Sequence, residues 1–235
     1  MAGIRLPFRD RAEAGSALAL ALIAYANRPD VLVLALPRGG VPVAAQVAEA
    51  LHAPLDVFVV RKLGVPGQEE LAFGAIASGG VKVLNDDIVA EIGLSDALIN
   101  RTVVAEEQEI ARREHLYRGD RTPVQLGGRT VILIDDGLAT GATMRAAVQA
   151  IQALQPARLI VAVPVAAAEA CADLRAIVDE VVCVATPDPF YAVGAWYQVF
   201  DQTTDAEVHD LLDHNWQTSG ALAAPDAAVK DGLPS

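Results

Sequence analysis

Apolar residues along the chain fall into two recurring patterns. Short runs dominated by β-branched residues and leucine occur at 31–36, 55–60, 131–134, 158–163 and 180–185. Each is too short for a helix and has the composition of a strand buried on both faces. Stretches with helical spacing occupy 9–27, 41–51, 95–118, 144–154 and 167–175, with a short terminal one at 208–216. Asn27-Arg28-Pro29-Asp30 stops the first, because proline disfavours the helical region in the residue before it. Ser95 is placed to cap the long stretch, and Glu106, Glu107 and Glu109 precede Arg112, Arg113 and Arg118 so that pairs form at three- and four-residue spacing. Its thin apolar stripe, Ile99, Val103 and Ile110 with Tyr117, rests on the core or meets a second subunit. The alternation predicts an α/β protein built on a five-stranded parallel doubly wound sheet.

Three segments break the alternation. Residues 63–70 are rich in glycine, proline and charge and predict a mobile loop. Leu71–Ser78 and Val81–Leu84, split by Gly79-Gly80, read as the two strands of a hairpin. The stretch 186–200 holds five of the eleven aromatic residues and, with two prolines and a glycine, reads as a loop. Asn85-Asp86-Asp87 is an ordinary helix cap. A single domain over 1–216, with its core at about 30–185, followed by a disordered alanine-, proline- and glycine-rich tail at 217–235, accounts for the whole chain.

Composition narrows the function. A hydrophobic share of 53% can bury a sizeable core, and a formal charge of −12 argues against nonspecific nucleic-acid binding. Cys171 and Cys183 lack metal-ligand spacing, sit in apolar surroundings and read as buried free thiols of a reducing compartment. The N-terminus does not read as a signal peptide, and no stretch reaches the roughly 18–20 apolar residues of a membrane span, so a cytoplasmic protein is expected. His52, His115, His209 and His214 show no metal spacing, and no internal repeat is visible.

The chemistry concentrates at VILIDDGLATGAT, residues 131–143. A buried strand ends in Asp135 and Asp136. A turn with Gly137 follows, and then Thr140-Gly141-Ala142-Thr143 steps into a helix. Free backbone N–H groups and the positive helix end form an anion cradle, while the acids face hydroxyls or a metal. A plain turn capped by Thr140 would fit the glycines and hydroxyls, but neighbouring acids at a strand end repel each other unless a ligand uses them. After the 31–36 strand, Arg38-Gly39-Gly40 offers a planar cation and close backbone approach, both suited to phosphate oxygens. Arg61 and Lys62 lie at the end of the 55–60 strand.

At Asp135, Asp136, Thr140, Gly141 and Thr143 the chain resembles the type I phosphoribosyltransferase family, whose signature has acids, threonines and glycine at these spacings. The resemblance covers about residues 30–200. It implies that the donor is 5-phosphoribosyl 1-pyrophosphate with Mg²⁺, held mainly by the substrate and near Asp135 and Asp136. It further implies that Thr140, Gly141, Ala142 and Thr143, beside Gly137, hold the 5′-phosphate, and that Asp135 and Asp136 take the ribose hydroxyls. Arg38, Gly39 and Gly40 become the pyrophosphate loop, Arg61 and Lys62 further pyrophosphate contacts, and the hairpin a flexible cover. A small hood beside the last strand, from 186–216 and the N-terminal segment, holds a nitrogenous acceptor, with Phe190, Tyr191 and Trp196 as its stacking residues. The family also implies a homodimer.

The resemblance has one informative departure. The position of a third acid in hypoxanthine-guanine phosphoribosyltransferases is Ala139 here, as in the DDLLATGGT of adenine phosphoribosyltransferases. No base for a 6-oxopurine comes from this loop. VRKLGVPGQEELAFGAIA and PDPFYAVGAWY are segments of the type found in bacterial phosphoribosyltransferase-like proteins of undefined acceptor. Two rival readings stay open: a non-catalytic regulator that senses the sugar pyrophosphate or a nucleotide, and a phosphoesterase using the Asp pair. With both acids at a loop mouth, a double Asp→Asn variant is expected to lose turnover and keep its fold.

Overall fold

The computed structural model describes residues 5–65 and 68–219. Its centre is a five-stranded parallel sheet of β1 (Val31–Ala35), β2 (Leu55–Val57), β6 (Thr130–Ile134), β7 (Arg158–Val165) and β8 (Glu180–Ala185), in the order β2-β1-β6-β7-β8. Between β2 and β6 the chain forms a second, antiparallel sheet of β3 (Val60–Val65), β4 (Gln68–Ala77) and β5 (Val81–Leu84). The helices are α1 (Arg11–Ala21), α2 (Gly40–Leu51), α3 (Asp86–Ile92), α4 (Asp96–Arg118), α5 (Ala142–Ala153), α6 (Ala168–Arg175) and α7 (Asp205–Ser219).

The pleat explains why the runs carry no polar alternation. In β1, Val31, Val33 and Ala35 pack among α1, α2, α4 and α7 residues such as Leu18, Val47, Tyr117 and Leu212. Leu32 and Leu34 point the other way, against Met144, Val148 and Ile151 of α5 and Leu174 of α6. Both faces are covered, so every residue of β1 and β6 is buried. The helix after β1 lies on one face and the helix after β6 on the other. The loops leaving β1 and β6 therefore diverge at adjacent strand ends, the switch point where open α/β sheets bind ligands.

Several expectations change. The 55–60 run does not stay one strand. It leaves the main sheet after Val57 and turns into β3, so Arg61 and Lys62 begin the second sheet rather than end a core strand. The loop expected over 63–70 is instead largely paired, with Val65 opposite Gln68 across Pro66 and Gly67, which lie outside the described residues. The hairpin thereby becomes three-stranded. Helix α7 begins earlier than 208, at Asp205, because Thr204 and Glu207 exchange bonds (Glu207 N–H to Thr204 Oγ1, 3.2 Å; Thr204 N–H to Glu207 Oε2, 2.7 Å). It runs on through Ser219, so 217–219 are helical; the rest of the expected tail, 220–235, lies outside the described residues.

Cys171 and Cys183 are not free: they form a disulfide between α6 and β8. The helix packs on this edge strand, and burial of Cys171 in apolar surroundings suits a bonded sulfur as well as a thiol. The inference from free thiols to a reducing compartment therefore fails. Among the described residues no helix is long and apolar enough to cross a membrane.

The capping and packing of the middle segment follow the sequence. The Asn85 side chain accepts the Ile88 N–H and Ser95 that of Leu98. Ile99, Val103, Ile110 and Tyr117 are buried against the chain's own core, so this stripe is not left for a second subunit. Charge adds a tie that local pattern does not show. Arg118 and Asp56, 4% and 2% exposed, form a 2.7 Å ion pair, and Arg118 also donates to the Val57 carbonyl at 2.6 Å. The end of α4 is thereby fixed to the edge strand β2. On the same edge, Asn215 accepts the Leu55 N–H and Trp216 donates to the Leu55 carbonyl, covering groups that would otherwise be open to another strand.

Candidate functional site

Asp135 and Asp136 sit where β6 ends, beside the loop that leaves β1. The approach is close enough to exclude side chains. A Cβ on Gly39 would lie 2.1 Å from Asp136 Oδ2, and one on Gly40 would lie 2.8 Å from the Ile134 carbonyl oxygen and 3.0 Å from Asp135 Cα. Arg38 follows a cis peptide bond and reaches toward α7, with Nη1 3.7 Å from Asp205 Oδ1. The first acid accepts the backbone N–H of the second at 2.9 Å.

After the acids, Gly137 passes beneath the 186–200 segment, where a Cβ would meet Val193 Cγ1 at 2.6 Å and the Val165 carbonyl oxygen at 3.0 Å. Leu138 bridges to Ala166 at the end of β7, which holds the turn in place. Gly141 then adopts φ +68°, a left-handed conformation that suits glycine, and starts α5. Its carbonyl accepts the Arg145 N–H at 2.8 Å, while Arg145 Nη1 donates to the Thr140 carbonyl at 2.9 Å. The Ala142 N–H has a long contact, 3.4 Å, to Thr140 Oγ1. The first-turn amides of Ala142, Thr143 and Met144 have no intrahelical acceptor and face outward at the positive end of the helix. Thr140 and Thr143 are exposed beside them.

The second sheet flanks this cradle. Thr143 shares a cleft of about 400 Å³ with Arg61, Lys62, Thr102 and Glu106, and Lys62 also borders a larger one of about 630 Å³ with Ala142 and Arg145. The neighbours Arg61 and Lys62 do different things. Arg61 is bound by Glu106 of α4 at 2.6 Å, whereas Lys62 is exposed and unbridged among the described residues.

The expected stacking residues separate as well. Phe190 and Trp196 stack on each other, with ring centroids 6.3 Å apart, and belong to a small aromatic cluster. Tyr191 is 82% exposed. The N-terminal segment joins this region: Phe8 pairs with Tyr197 in a parallel bridge, and the Phe8 N–H donates to the Trp196 carbonyl at 2.9 Å.

Sequence reasoning missed Arg11 and Tyr197. Arg11 donates through Nε to Asp136 Oδ2 at 2.9 Å, and its Nη2 lies 2.9 Å from the same oxygen as an ion pair. Tyr197 Oη donates to the Asp136 backbone carbonyl at 2.5 Å. A weak signal for Arg11 existed, because a cation as the first residue of a helix opposes the helix dipole and so points to another partner. Burial drives both carboxyls up. Asp135 is pushed well above the usual carboxylate range by burial and by the neighbouring Asp136 charge. Asp136 rises less, because the Arg11 guanidinium opposes its burial. Burial also pushes the Tyr197 phenol up, keeping it a neutral donor.

The match to known proteins agrees with this geometry. A family model described as a phosphoribosyl transferase domain matches residues 9–195. The chain belongs to the type I phosphoribosyltransferase family. Relatives in two strains of Mycobacterium tuberculosis, provisionally named phosphoribosyl transferases, are 47% identical over 226 residues, which is 96% of this chain and 51% of theirs. The chain thus spans about half the length of these curated relatives. A crystal structure of the protein TT1426 from Thermus thermophilus is 42% identical and superposes with a TM-score of 0.78, covering 87% of this chain and 97% of that one. The five-stranded phosphoribosyltransferase sheet is accordingly the observed fold, and the N-terminal helix carrying Arg11 lies within the family match.

Proposed function

We propose that this chain transfers the 5-phosphoribosyl group of 5-phosphoribosyl 1-pyrophosphate to a nitrogenous acceptor and releases pyrophosphate, with Mg²⁺. The observation that carries the reading is the convergence of Asp135 and Asp136, the Arg38-Gly39-Gly40 loop and the N-terminus of α5 at adjacent strand ends. Each part fits one part of the donor. Thr140, Gly141, Ala142 and Thr143, entered through Gly137, cradle the 5′-phosphate with amides and hydroxyls. Asp135 and Asp136 accept from the ribose 2′- and 3′-hydroxyls, and their charge stabilises the cation that grows on the ring as the C1′–oxygen bond breaks. Arg38 and the Gly39 amide receive the leaving pyrophosphate, whereas the Gly40 N–H expected beside them already donates to the Leu36 carbonyl at 3.1 Å, and Lys62 adds a mobile cation.

The described residues hold no group of three metal-ligating side chains, and Asp135 is a carboxylate with no ion pair among them. That donor set suits an ion carried in by substrate oxygens, with Asp135 as the adjacent protein oxygen, since Mg²⁺ keeps few protein ligands. When bound it would neutralise pyrophosphate charge. The acceptor lies under the aromatic segment, where Tyr191 is the free ring and Phe190 and Trp196 support each other. Ala139 is exposed and offers no proton acceptor, so a 6-oxopurine receives no base from this loop.

A panel of purines, pyrimidines and other nitrogen bases, assayed for pyrophosphate release with donor binding measured in parallel, tests the reading. Release with one acceptor class supports it. Tight donor binding with no turnover on any acceptor supports the sensor reading instead. A finer expectation concerns the cationic pair on β3. Lys62→Gln should weaken donor binding by about fivefold, roughly 1 kcal/mol. Arg61→Gln should leave donor affinity within about twofold and cost roughly 0.5–1 kcal/mol of stability, because Glu106 already holds that guanidinium. Calorimetry of donor binding and thermal melts of the two variants read this directly.

A further inference from the structure

We infer that Arg11 is a positioning residue of the ribose site: it holds Asp136 by one oxygen so that the other is presented to a sugar hydroxyl. The inference rests on the proposed donor reading and adds to it a residue from the opposite end of the chain. Nε donates to Oδ2 and Nη2 lies against the same oxygen, at 2.9 Å each, which leaves Oδ1 for another donor. A fork-to-fork pair would have consumed both oxygens.

The guanidinium is itself held on its remaining sides. Nη1 donates to the Asp201 carbonyl at 2.7 Å, and the Phe200 ring lies beneath Cζ at 4.0 Å. The side chains of Arg11 and Asp136 are 12% and 14% exposed, so neither is free to wander into solvent. Asp136 is fixed from its backbone side as well, through the Tyr197 hydroxyl on its carbonyl. Gly39 closes the arrangement, since its missing Cβ would stand 2.1 Å from Oδ2 and 3.5 Å from Arg11 Nη2.

These contacts join three parts of the molecule at one carboxylate: the N-terminal helix, the segment at 197–201 and the loop at 37–40. An ordinary structural ion pair would not need to sit on a residue of the phosphoribosyltransferase signature. Here it sits on the second acid, while the first, Asp135, forms no ion pair among the described residues and meets the Arg11 charge only at longer range. The two carboxylates are therefore unlike. Asp136 has a fixed orientation and one available oxygen, and Asp135 has, among the described residues, its neighbour's N–H as hydrogen-bond donor.

Binding of ribose 5-phosphate, which keeps the hydroxyls, and of pyrophosphate, which lacks them, separates this role from general support. Both are measured by calorimetry with Mg²⁺ on wild type, Arg11→Met, Asp136→Asn and the double variant, each at a temperature where melts show it folded. We expect Arg11→Met to weaken ribose 5-phosphate by about tenfold to a hundredfold, the range of a lost charged hydrogen bond. Pyrophosphate should change by less than about twofold. The double variant should bind no more weakly than Asp136→Asn alone, because the pair acts as a unit. Adding guanidinium ion to Arg11→Ala should recover part of the affinity, and Arg11→Lys should fall between wild type and Arg11→Met. Unchanged ribose 5-phosphate affinity in folded Arg11→Met, or strict additivity in the double variant, overturns the inference. If wild type binds neither probe and no donor, the phosphoribosyl reading itself fails, and the role of Arg11 fails with it.

Discussion

Asp135→Asn should raise the melting temperature and Asp136→Asn should lower it, although each abolishes turnover. The two substitutions are chemically identical and one residue apart, so the opposite signs come from their surroundings. Asp135 is partly buried, its carboxyl is pushed up, and its neighbour is another acid. An amide removes the buried charge and keeps the 2.9 Å bond to the Asp136 N–H. The gain should be about 1 kcal/mol, or roughly 2–4 °C for a chain of this size. Asp136 differs: burial raises its carboxyl too, but there the Arg11 guanidinium opposes the burial, and the substitution leaves that guanidinium without its carboxylate. Removing one partner of a buried pair costs about 3–5 kcal/mol. The Asp201 carbonyl and Phe200 still hold the guanidinium, so a loss of roughly 2–3 kcal/mol is expected, or about 5–10 °C.

The sign with pH follows from linkage. A carboxyl whose folded pKa is raised binds its proton more tightly in the folded state, so its contribution is full below the unfolded value of about 4 and is lost as pH rises through the folded value. The advantage of Asp135→Asn should therefore be absent in acid and grow on going to neutral pH. Melts of wild type and both variants between acid and neutral pH, with pyrophosphate release on the same samples, check it. Equal shifts of the same sign would mean that Arg11 does not distinguish the two acids. Because Asp136 is tied to the N-terminal helix through Arg11, the double variant is not expected to be neutral for folding, as two acids at an open loop mouth would be.

What the sequence made legible is what depends on local pattern. The apolar runs at 31–35 and 131–134 announce strands because covering both faces forbids polar residues there. The motif from Asp135 to Thr143 is legible because acids, glycine and hydroxyls must follow one another within a single turn. The Asn85 and Ser95 caps are legible for the same reason. The missed contacts of the site and of α4 involve partners far apart in the chain. Arg11 meets Asp136 across 125 residues, and Arg118 meets Asp56 across 62. Each of these arginines reads as a surface cation in its own segment. Cys171 and Cys183 gave apolar surroundings, which suit a thiol and a disulfide alike. The run at 55–60 hid its break because Phe58 and Val59 are buried where the chain passes between the sheets, so hydrophobicity continues while strand pairing changes.

Glycines 39 and 40 should be the least tolerant positions of the donor site, and in different ways. Neither has the positive φ that calls for glycine; Gly39 is at φ −59°, and Gly40 is the first residue of α2. What excludes a side chain is proximity. In Gly40→Ala the new Cβ meets the Ile134 carbonyl oxygen at 2.8 Å and Asp135 Cα at 3.0 Å, which are backbone atoms of a buried strand end. They cannot yield without moving β6 against β1, so about 1–3 kcal/mol of stability should be lost, as in other overpacked interiors. In Gly39→Ala the clash is with Asp136 Oδ2, the end of a side chain that can rotate away. Rotation relieves the contact but takes that oxygen from the Arg11 guanidinium. Gly39→Ala should therefore melt about as far below wild type as Asp136→Asn and bind the donor about a hundredfold more weakly, since loop and acid are displaced together. Paired melts and calorimetry separate the two effects. A Gly39→Ala protein with wild-type donor affinity would mean that the 37–40 loop and the acid at 136 do not form one site. Their contact would then be packing alone.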